Sequence, residues 1–366
     1  MKFTAARESL LKPLQAVIGV VERRQTMPVL ANVLLAAQEG QLTITATDLE
    51  VELVATTEVD TIDVPGDITV PGRKLLDICR ALPEQAVINT ALEGDRLVIK
   101  SGRSRFVLST LPAAEFPVID DIAADYEVEL EQSAFGRLLE KTHFSMAQQD
   151  VRYYLNGLLI ETGSTGIRAV ATDGHRLALC DIVIDAPETG HHQVIIPRKG
   201  VLELQRLLGD KGTVKISFGS NHARAELDNI RFTSKLIDGR FPDYDKVIPQ
   251  PEGNVLAASR EALRQGLQRA AILSNEKYRG VRLELRRQSL KIQANNPDQE
   301  EAEDEVEVDY GGEDMEIGFN VNYLLDALGA VDGDYVELGV VDPNSSCLIH
   351  QPDDQSCKFV VMPMRL

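Results

Sequence analysis

Three stretches of this chain carry one pattern at one long interval, and that repetition limits the fold more than composition does. They are Pro71–Leu82 (PGRKLLDICRAL), Pro197–Leu208 (PRKGVLELQRLL) and Asn320–Ala330 (NVNYLLDALGA), separated by 126 and 123 positions. In the middle one, a proline, two cations and a glycine precede Val201, Leu204, Leu207 and Leu208, which share one helical face. Other anchors keep the same order. Leu10 with Leu14 recurs as Phe135 with Leu139 and as Leu263 with Leu267. A strand running into a polar turn ends at Asp48 (LTITATD), Asp173 (IRAVATD) and Asn296 (LKIQANN). A closing strand carries Arg105-Phe106, Arg231-Phe232 and Lys358-Phe359. The chain therefore reads as three copies of one unit.

Each copy reads as strands plus two helices, an α+β unit whose helices cover one face of an antiparallel sheet. The first copy predicts a strand at MKFTA, a helix over 7–20 with Pro13 tolerated near its start, and a hairpin over 41–59. Strands at 87–91 and 96–101 and a closing strand at 104–111 complete it. The other helices are expected over 72–82, 131–148, 198–209, 259–273 and 320–330. Connectors rich in proline and aspartate, 112–125 and 237–254, open on the similar phrases EFPVID and RFPDYD. They place three domains at 1–125, 126–253 and 254–366.

At 366 residues, each copy is long enough to bury a core. The four cysteines form no CxxC pair and read as reduced thiols of a cytoplasmic protein, not as a disulfide frame or zinc site. No apolar run approaches the roughly 20 residues of a membrane helix, and Pro13–Val21 lacks the cleavage site of a signal peptide. A net charge of −19 argues against a protein that coats nucleic acid. Yet the six expected helices, with the first counted through Arg24, hold 15 Lys and Arg against 8 Asp and Glu, leaving −26 on the remainder. Such a chain can hold DNA on one surface and repel it elsewhere; the blander reading is a solvated helix face.

Domains of this size are beads roughly 35 Å across, so a ring of three leaves a gap of about 5 Å and a ring of six about 35 Å. Only six clear a duplex, and six require two chains. The edges suggest how they join. Arg96, Lys100, Arg103 and Arg105 lie beside Phe106 and Leu108 in copy one, whereas copy three carries QEEAEDEVEVD. Strand edges of opposite charge invite head-to-tail pairing. A solvated acidic hairpin is the alternative, and nothing there matches the spaced oxygen ligands of a calcium loop.

Several phrases carry a family resemblance: MAQQDVRYYLNG (Met146–Gly157), ATDGHRL (Ala171–Leu177), VIIPRKG (Val194–Gly200), FPDY (Phe241–Tyr244), ILSNEKYRGVRL (Ile272–Leu283), NNPDQEEAE (Asn295–Glu303) and VVMPMRL (Val360–Leu366). Along its whole length the chain resembles the bacterial DNA polymerase III β-subunit sliding clamps. The resemblance implies the DNA-clamp fold: a head-to-tail two-chain ring of six domains, helices inside and sheets outside, with no catalysis and no cofactor or metal. Implied partners are duplex DNA, a second copy of the chain, the polymerase III catalytic subunit, clamp-loader subunits, and other polymerases and repair proteins that dock short hydrophobic peptides.

By resemblance, the peptide pocket takes Leu155, Thr172, Gly174, His175, Arg176, Leu177, Pro242, Val247, Tyr323 and Ser346, completed by Val360, Met362, Pro363, Met364 and Arg365. Methionine and proline surfaces suit such grooves, although Met362 and Met364 could also pack a last strand. Lys246 and Asn344 depart from the arginine and the apolar residue expected at its rim. DNA contacts fall on Arg24, Arg73, Gln149, Tyr153, Tyr154, Arg198 and Lys199, with the two tyrosines equally readable as core. Cations on phosphates give a sequence-independent, salt-weakened hold. The dimer seam falls on Lys74, Arg103, Arg105, Phe106 and Leu108 against Ile272, Leu273, Glu300, Glu301, Glu303 and Asp304.

Two other readings remain at this stage. A peptide-binding scaffold would share the repeat without enclosing DNA. A hydrolase would use Asp173 and His175, although ATDGH offers no nucleophile and no third orienting group. His191-His192 point to opposite sides of a strand, which disfavours a metal site.

Overall fold

The structure, a computed structural model, describes residues 1–21, 27–119, 122–163, 166–184, 191–251 and 254–365. Six α-helices stand where the leucine pattern puts them: α1 (Arg7–Val17), α2 (Gly72–Ala81), α3 (Gln132–Glu140), α4 (Arg198–Leu207), α5 (Arg260–Ala271) and α6 (Val321–Ala330). In α2, Leu75, Leu76 and Cys79 are buried while Arg73 and Lys74 face out. Ser259 caps α5 by accepting the Ala262 N–H, and Asn320 caps α6 through Asn322. α1 packs on α2 and on the strands Gln41–Thr47 and Val51–Glu58; α5 packs on α6 and on Ser289–Asn295 and Glu301–Glu307.

Three local expectations are corrected. Pro13 lies inside α1, not near its start, and the expected 7–20 helix ends at Val17, passing into a 3-10 turn at Ile18–Val20. Instead of running to 148, α3 stops at Glu140. There the Thr142 hydroxyl donates to the Leu138 carbonyl at 2.7 Å, and the His143 ring nitrogen sits 3.1 Å from the Leu139 carbonyl. These side chains occupy carbonyls that another turn of helix would use. Finally, Cys180 and Cys357 are joined rather than reduced. They face each other in the register of Arg176–Val183 against Asp354–Val361, a pairing 177 residues apart that no local spacing announces. Cys79 and Cys347 are free and buried.

Each copy splits its strands into two half-sheets, and this explains the topology. An eight-stranded sheet joins one half from copy two (Tyr126–Glu131, Thr213–Phe218, His222–Leu227, Ile230–Lys235) to one from copy one (Val51–Glu58, Gln41–Thr47, Asn32–Gln38, Gly66–Pro71). The junction is antiparallel, with Phe232 opposite Leu53. A nine-stranded sheet joins the other half of copy two to copy three, through Arg176–Val183 paired with Asp354–Val361 and Phe359 opposite Ala178. Two halves stay unmerged. One is a five-stranded sheet of copy one ending on Ser104–Ser109; the other is a four-stranded sheet of copy three ending on Glu301–Glu307.

Because sheets merge across copies, compactness does not follow the repeat. The chain forms two units, residues 1–135 with 199–236 and residues 136–198 with 237–366. Among the described residues no helix is long and apolar enough to cross a membrane.

Candidate functional site

The second unit holds an apolar cleft of about 170 Å³ beside the turn Thr172–Arg176. The turn is built by its own side chains. Thr172 Oγ1 accepts the Gly174 N–H at 3.1 Å and donates to the Arg176 carbonyl at 2.6 Å. Asp173 Oδ1 accepts the N–H groups of His175 (2.9 Å) and Arg176 (3.0 Å), an Asx turn. Gly174 adopts φ +88, and a Cβ there would come within 3.1 Å of the Arg152 guanidinium. The left-handed angle favours glycine, while the guanidinium is the movable end of a side chain.

The cleft gathers nine of the predicted residues: Leu155, Thr172, Gly174, Arg176, Leu177, Pro242, Val247, Val360 and Met362. The others lie around it. His175 is exposed, and its carbonyl accepts the Met362 N–H at 2.9 Å. Tyr323 lies under the Arg176 guanidinium, 4.6 Å from ring centre to carbon. The Ser346 hydroxyl donates to the Val247 carbonyl at 3.3 Å. Pro363 and Met364 are half-buried, with Met364 N–H on the Gly318 carbonyl at 2.8 Å, and Arg365 is exposed.

Sequence reasoning missed Arg152, Asp243 and Tyr244 in the wall. Tyr244 was within reach, since it ends the FPDY phrase; its hydroxyl donates to Glu161 and burial raises its pKa. Arg152 chelates Asp150 through two bonds of 3.0 and 2.9 Å, holding that carboxyl down at about 2. At the rim, Lys246 pairs with Asp243 at 2.7 Å, and Asn344 N–H caps on Asp342.

The hydrolase reading loses its geometry. Asp173 is engaged by backbone N–H groups and by Arg176 Nε at 3.1 Å, so it serves the turn rather than the His175 ring. Among the described residues no three His, Cys, Asp or Glu side chains form a metal-holding group.

The cations assigned to DNA differ in their freedom. Arg24 lies outside the described residues. Arg73 is exposed and donates to the Val21 carbonyl at 2.7 Å. Arg198 is half-buried against the His143 and Met146 carbonyls, and desolvation, then Arg176, lowers its pKa. Lys199 pairs with Asp48. Tyr153 is 59% exposed, whereas Tyr154 packs on the apolar cluster beneath the cleft; Gln149 is exposed. The pair thus divides between surface and core. Within observed bounds the helices carry twelve cations against six carboxylates. Six of those cations are paired within the chain: Arg7 with Glu8, Arg137 with Asp332, Lys199 with Asp48, Arg206 with Glu203, Arg264 with Glu261 and Arg269 with Asp304.

Most of the residues expected at a dimer seam lie on or beside the unmerged edges. On the basic side, Arg105, Phe106 and Leu108 belong to Ser104–Ser109; Arg103 precedes it and Lys74 is exposed on α2. On the acidic side, Glu301, Glu303 and Asp304 belong to Glu301–Glu307, with Glu300 just before it. Two of these acids already have ion-pair partners, Glu303 with Lys291 at 2.8 Å and Asp304 with Arg269, and Glu300 accepts from the Asn296 amide at 2.6 Å. Ile272, at the end of α5, is 76% exposed, and Leu273 is half-buried.

Comparison with known proteins agrees along the whole length. The DNA polymerase III beta subunit families match in three parts: the N-terminal domain over residues 1–120, the central domain over 129–243 and the C-terminal domain over 245–365. The Beta sliding clamps of Pseudomonas putida and Escherichia coli K12 are 55% and 53% identical, with all of each chain covered. A crystal structure of the DNA polymerase III subunit beta of Pseudomonas aeruginosa superposes with a TM-score of 0.98 at 53% identity, both chains covered in full. Another from that organism, bound to griselimycin, gives 0.97 at 54%, again over both full chains. With three family matches in order and more than half its residues shared with these relatives, the chain belongs to the DNA polymerase III beta subunits, the beta sliding clamps.

Proposed function

We propose that two copies of this chain close into a ring around duplex DNA and tether the replicative polymerase to it, without catalysing a reaction. The observation that carries this reading is the pattern of merged half-sheets. Two junctions form within the chain, and in each the closing strand of one copy pairs with the fourth strand of the copy before it. Repeating that step leaves one closing strand, Ser104–Ser109, and one fourth strand, Glu301–Glu307, for a second chain to satisfy. Bare edges of opposite charge favour that pairing over self-pairing.

The repeat also supplies a register. Ala46 sits opposite Leu53, Ala171 opposite Ala178 and Ala294 opposite Ala302, so these three partners are equivalent. Phe232 meets the first and Phe359 the second. Phe106 should therefore meet Ala302 of the neighbouring copy, which puts Arg105 opposite Glu303. The seam joins charge to charge.

In this reading grip comes from enclosure. A closed ring leaves DNA only by opening, so the hold on phosphate can stay weak enough to slide, which suits helices whose cations are half neutralised within the chain. The cleft around Leu177 docks short hydrophobic peptides of the polymerase, clamp loader and repair proteins, in the cytoplasm. The experiment is retention: the free protein should sediment at twice the chain mass, and once loaded it should stay on circular DNA and run off when the circle is cut. Equal loss from both forms would refute it and favour a peptide scaffold.

A further inference from the structure

Helix ends meet where the copies join, and a cation sits at each meeting. In the first unit, Arg206 in the last turn of α4 donates to the Gln15 carbonyl at 3.2 Å and the Ala16 carbonyl at 2.5 Å, both in the last turn of α1. In the second unit, Lys141, just past α3, donates at 2.6 Å to the carbonyl of Ala330, the last residue of α6. Neither α1 nor α6 has a basic residue of its own in its last turn. The final carbonyls of a helix lack intrahelical donors and carry the negative end of its dipole, so positive charge is favoured where two such ends approach. A ring of two chains repeats this meeting at the seam, between α2 of one copy and α5 of the other.

The repeat identifies the side chains involved. Arg7 and Arg260 open α1 and α5 alike, each donating its N–H at 2.8 Å to the residue just before the strand that follows the second helix, Ala86 and Asp334. That alignment carries Gln15, Ala16 and Gly19 onto Gln268, Arg269 and Ile272. Aligning Gly72–Ala81 with Arg198–Leu207 carries Glu203 and Arg206 onto Asp77 and Arg80. Arg80 is exposed, and among the described residues its guanidinium has no partner. The last-turn cation of α5 itself, Arg269, is occupied by Asp304. Side-chain size supports the same match. Within the chain, Glu203, held by Arg206 at 3.1 and 2.9 Å, fills the space over Gly19, where a Cβ would run into its carboxylate. At the seam the residue equivalent to Gly19 is the exposed Ile272, and the acid is one methylene shorter. Small faces long within the chain; large would face short between chains.

We propose that the last turn of α2 is a further contact between two copies of this chain: Arg80 of one copy donates to the Gln268 and Arg269 carbonyls of the other, and Asp77 orients that guanidinium while leaving room for Ile272. The strand edges join side-chain charges, whereas this contact caps main-chain carbonyls at a helix end. Size then matches α2 to α5 rather than to α1, so Asp77 and Arg80 help specify which helix the seam accepts. The proposal rests on the two-chain ring reading.

Sedimentation equilibrium of the full-length chain without DNA tests it. Arg80→Ala should raise the dimer dissociation constant at least roughly tenfold, since each of two seams loses charge-assisted hydrogen bonds. Asp77→Glu should raise it by a similar factor through overpacking, yet by less than about threefold when added to Ile272→Ala, which makes room for the longer acid. Asp77 and Arg80 are exposed on α2, so their replacement keeps the fold, with the thermal midpoint of the monomer as the check. An unchanged dissociation constant in Arg80→Ala would overturn the proposal, and weakened duplex binding by that variant would then mark Arg80 as a phosphate contact. Asp77→Glu without effect, or with the same effect whether isoleucine or alanine stands at 272, would also overturn it. A wild-type chain that stays monomeric at tens of micromolar would instead refute the ring reading itself.

Discussion

Replacing Ile272 with alanine tests the seam through one exposed side chain. Ile272 follows α5 with 76% of its surface open, and its N–H bonds the Arg269 carbonyl whatever the side chain, so alanine keeps the backbone. The change removes three carbons, each worth about 0.8 kcal/mol when buried. Scaled by the exposed fraction, the loss is about 1.8 kcal/mol per seam. A two-chain ring has two seams, so the dimer loses about 3.6 kcal/mol, or roughly 400-fold in its dissociation constant. Sedimentation equilibrium over a concentration series reads this directly, with the thermal midpoint of the monomer as the check on folding. A shift below about threefold in a folded protein would show that Ile272 is not at the seam and would refute the reasoning.

Three further outcomes follow from particular contacts. Lys141 is buried and donates to the Ala330 carbonyl and to Asp332, both at 2.6 Å, so Lys141→Ala should cost about 2 kcal/mol in urea unfolding, below the roughly 3–5 kcal/mol of a fully buried pair because Asp332 is half exposed. Burial raises the Asp332 pKa, but Lys141 and Arg137 more than reverse this and leave it depressed. Its stabilisation is therefore present above the ordinary carboxylate range and fades as pH falls through the lower folded value, and Lys141→Ala should weaken that acid-side loss. Burial pushes the Cys79 and Cys347 thiols up to about 11 and about 12, so iodoacetamide at pH 8 should leave both unmodified until denaturant is added; full labelling of native protein would contradict their burial. Deleting residues 362–366 should abolish peptide binding, read by fluorescence anisotropy, while sedimentation still reports a dimer; loss of both would mean that cleft and seam are not separate.

Much of this was legible because the repeat is written in residues that do local work. The Thr-Asp turns at 47–48 and 172–173 are recognisable since the side chains themselves make the turn. Leucine spacing located all six helices because each buries one face. Helix ends were harder: Thr142 and His143 look compatible with a helix until their side chains are seen occupying its carbonyls. Pairings that depend on distant register were illegible. Nothing near Cys180 names Cys357, and nothing near Lys199 names Asp48. For the same reason the basic surplus of the helices overstated their free charge. The FPDY phrase did signal Tyr244, yet its place in the cleft wall depends on Glu161, which lies 83 residues earlier.

Enclosure itself is tested most directly by fixing the seam after loading. Arg105→Cys with Glu303→Cys, joined by a short bismaleimide on protein loaded onto a circular plasmid, should give a ring that stays with the circle in sodium dodecyl sulfate and is freed when the plasmid is cut. Protein cross-linked at both seams that is nonetheless stripped from the intact circle by detergent would contradict the account.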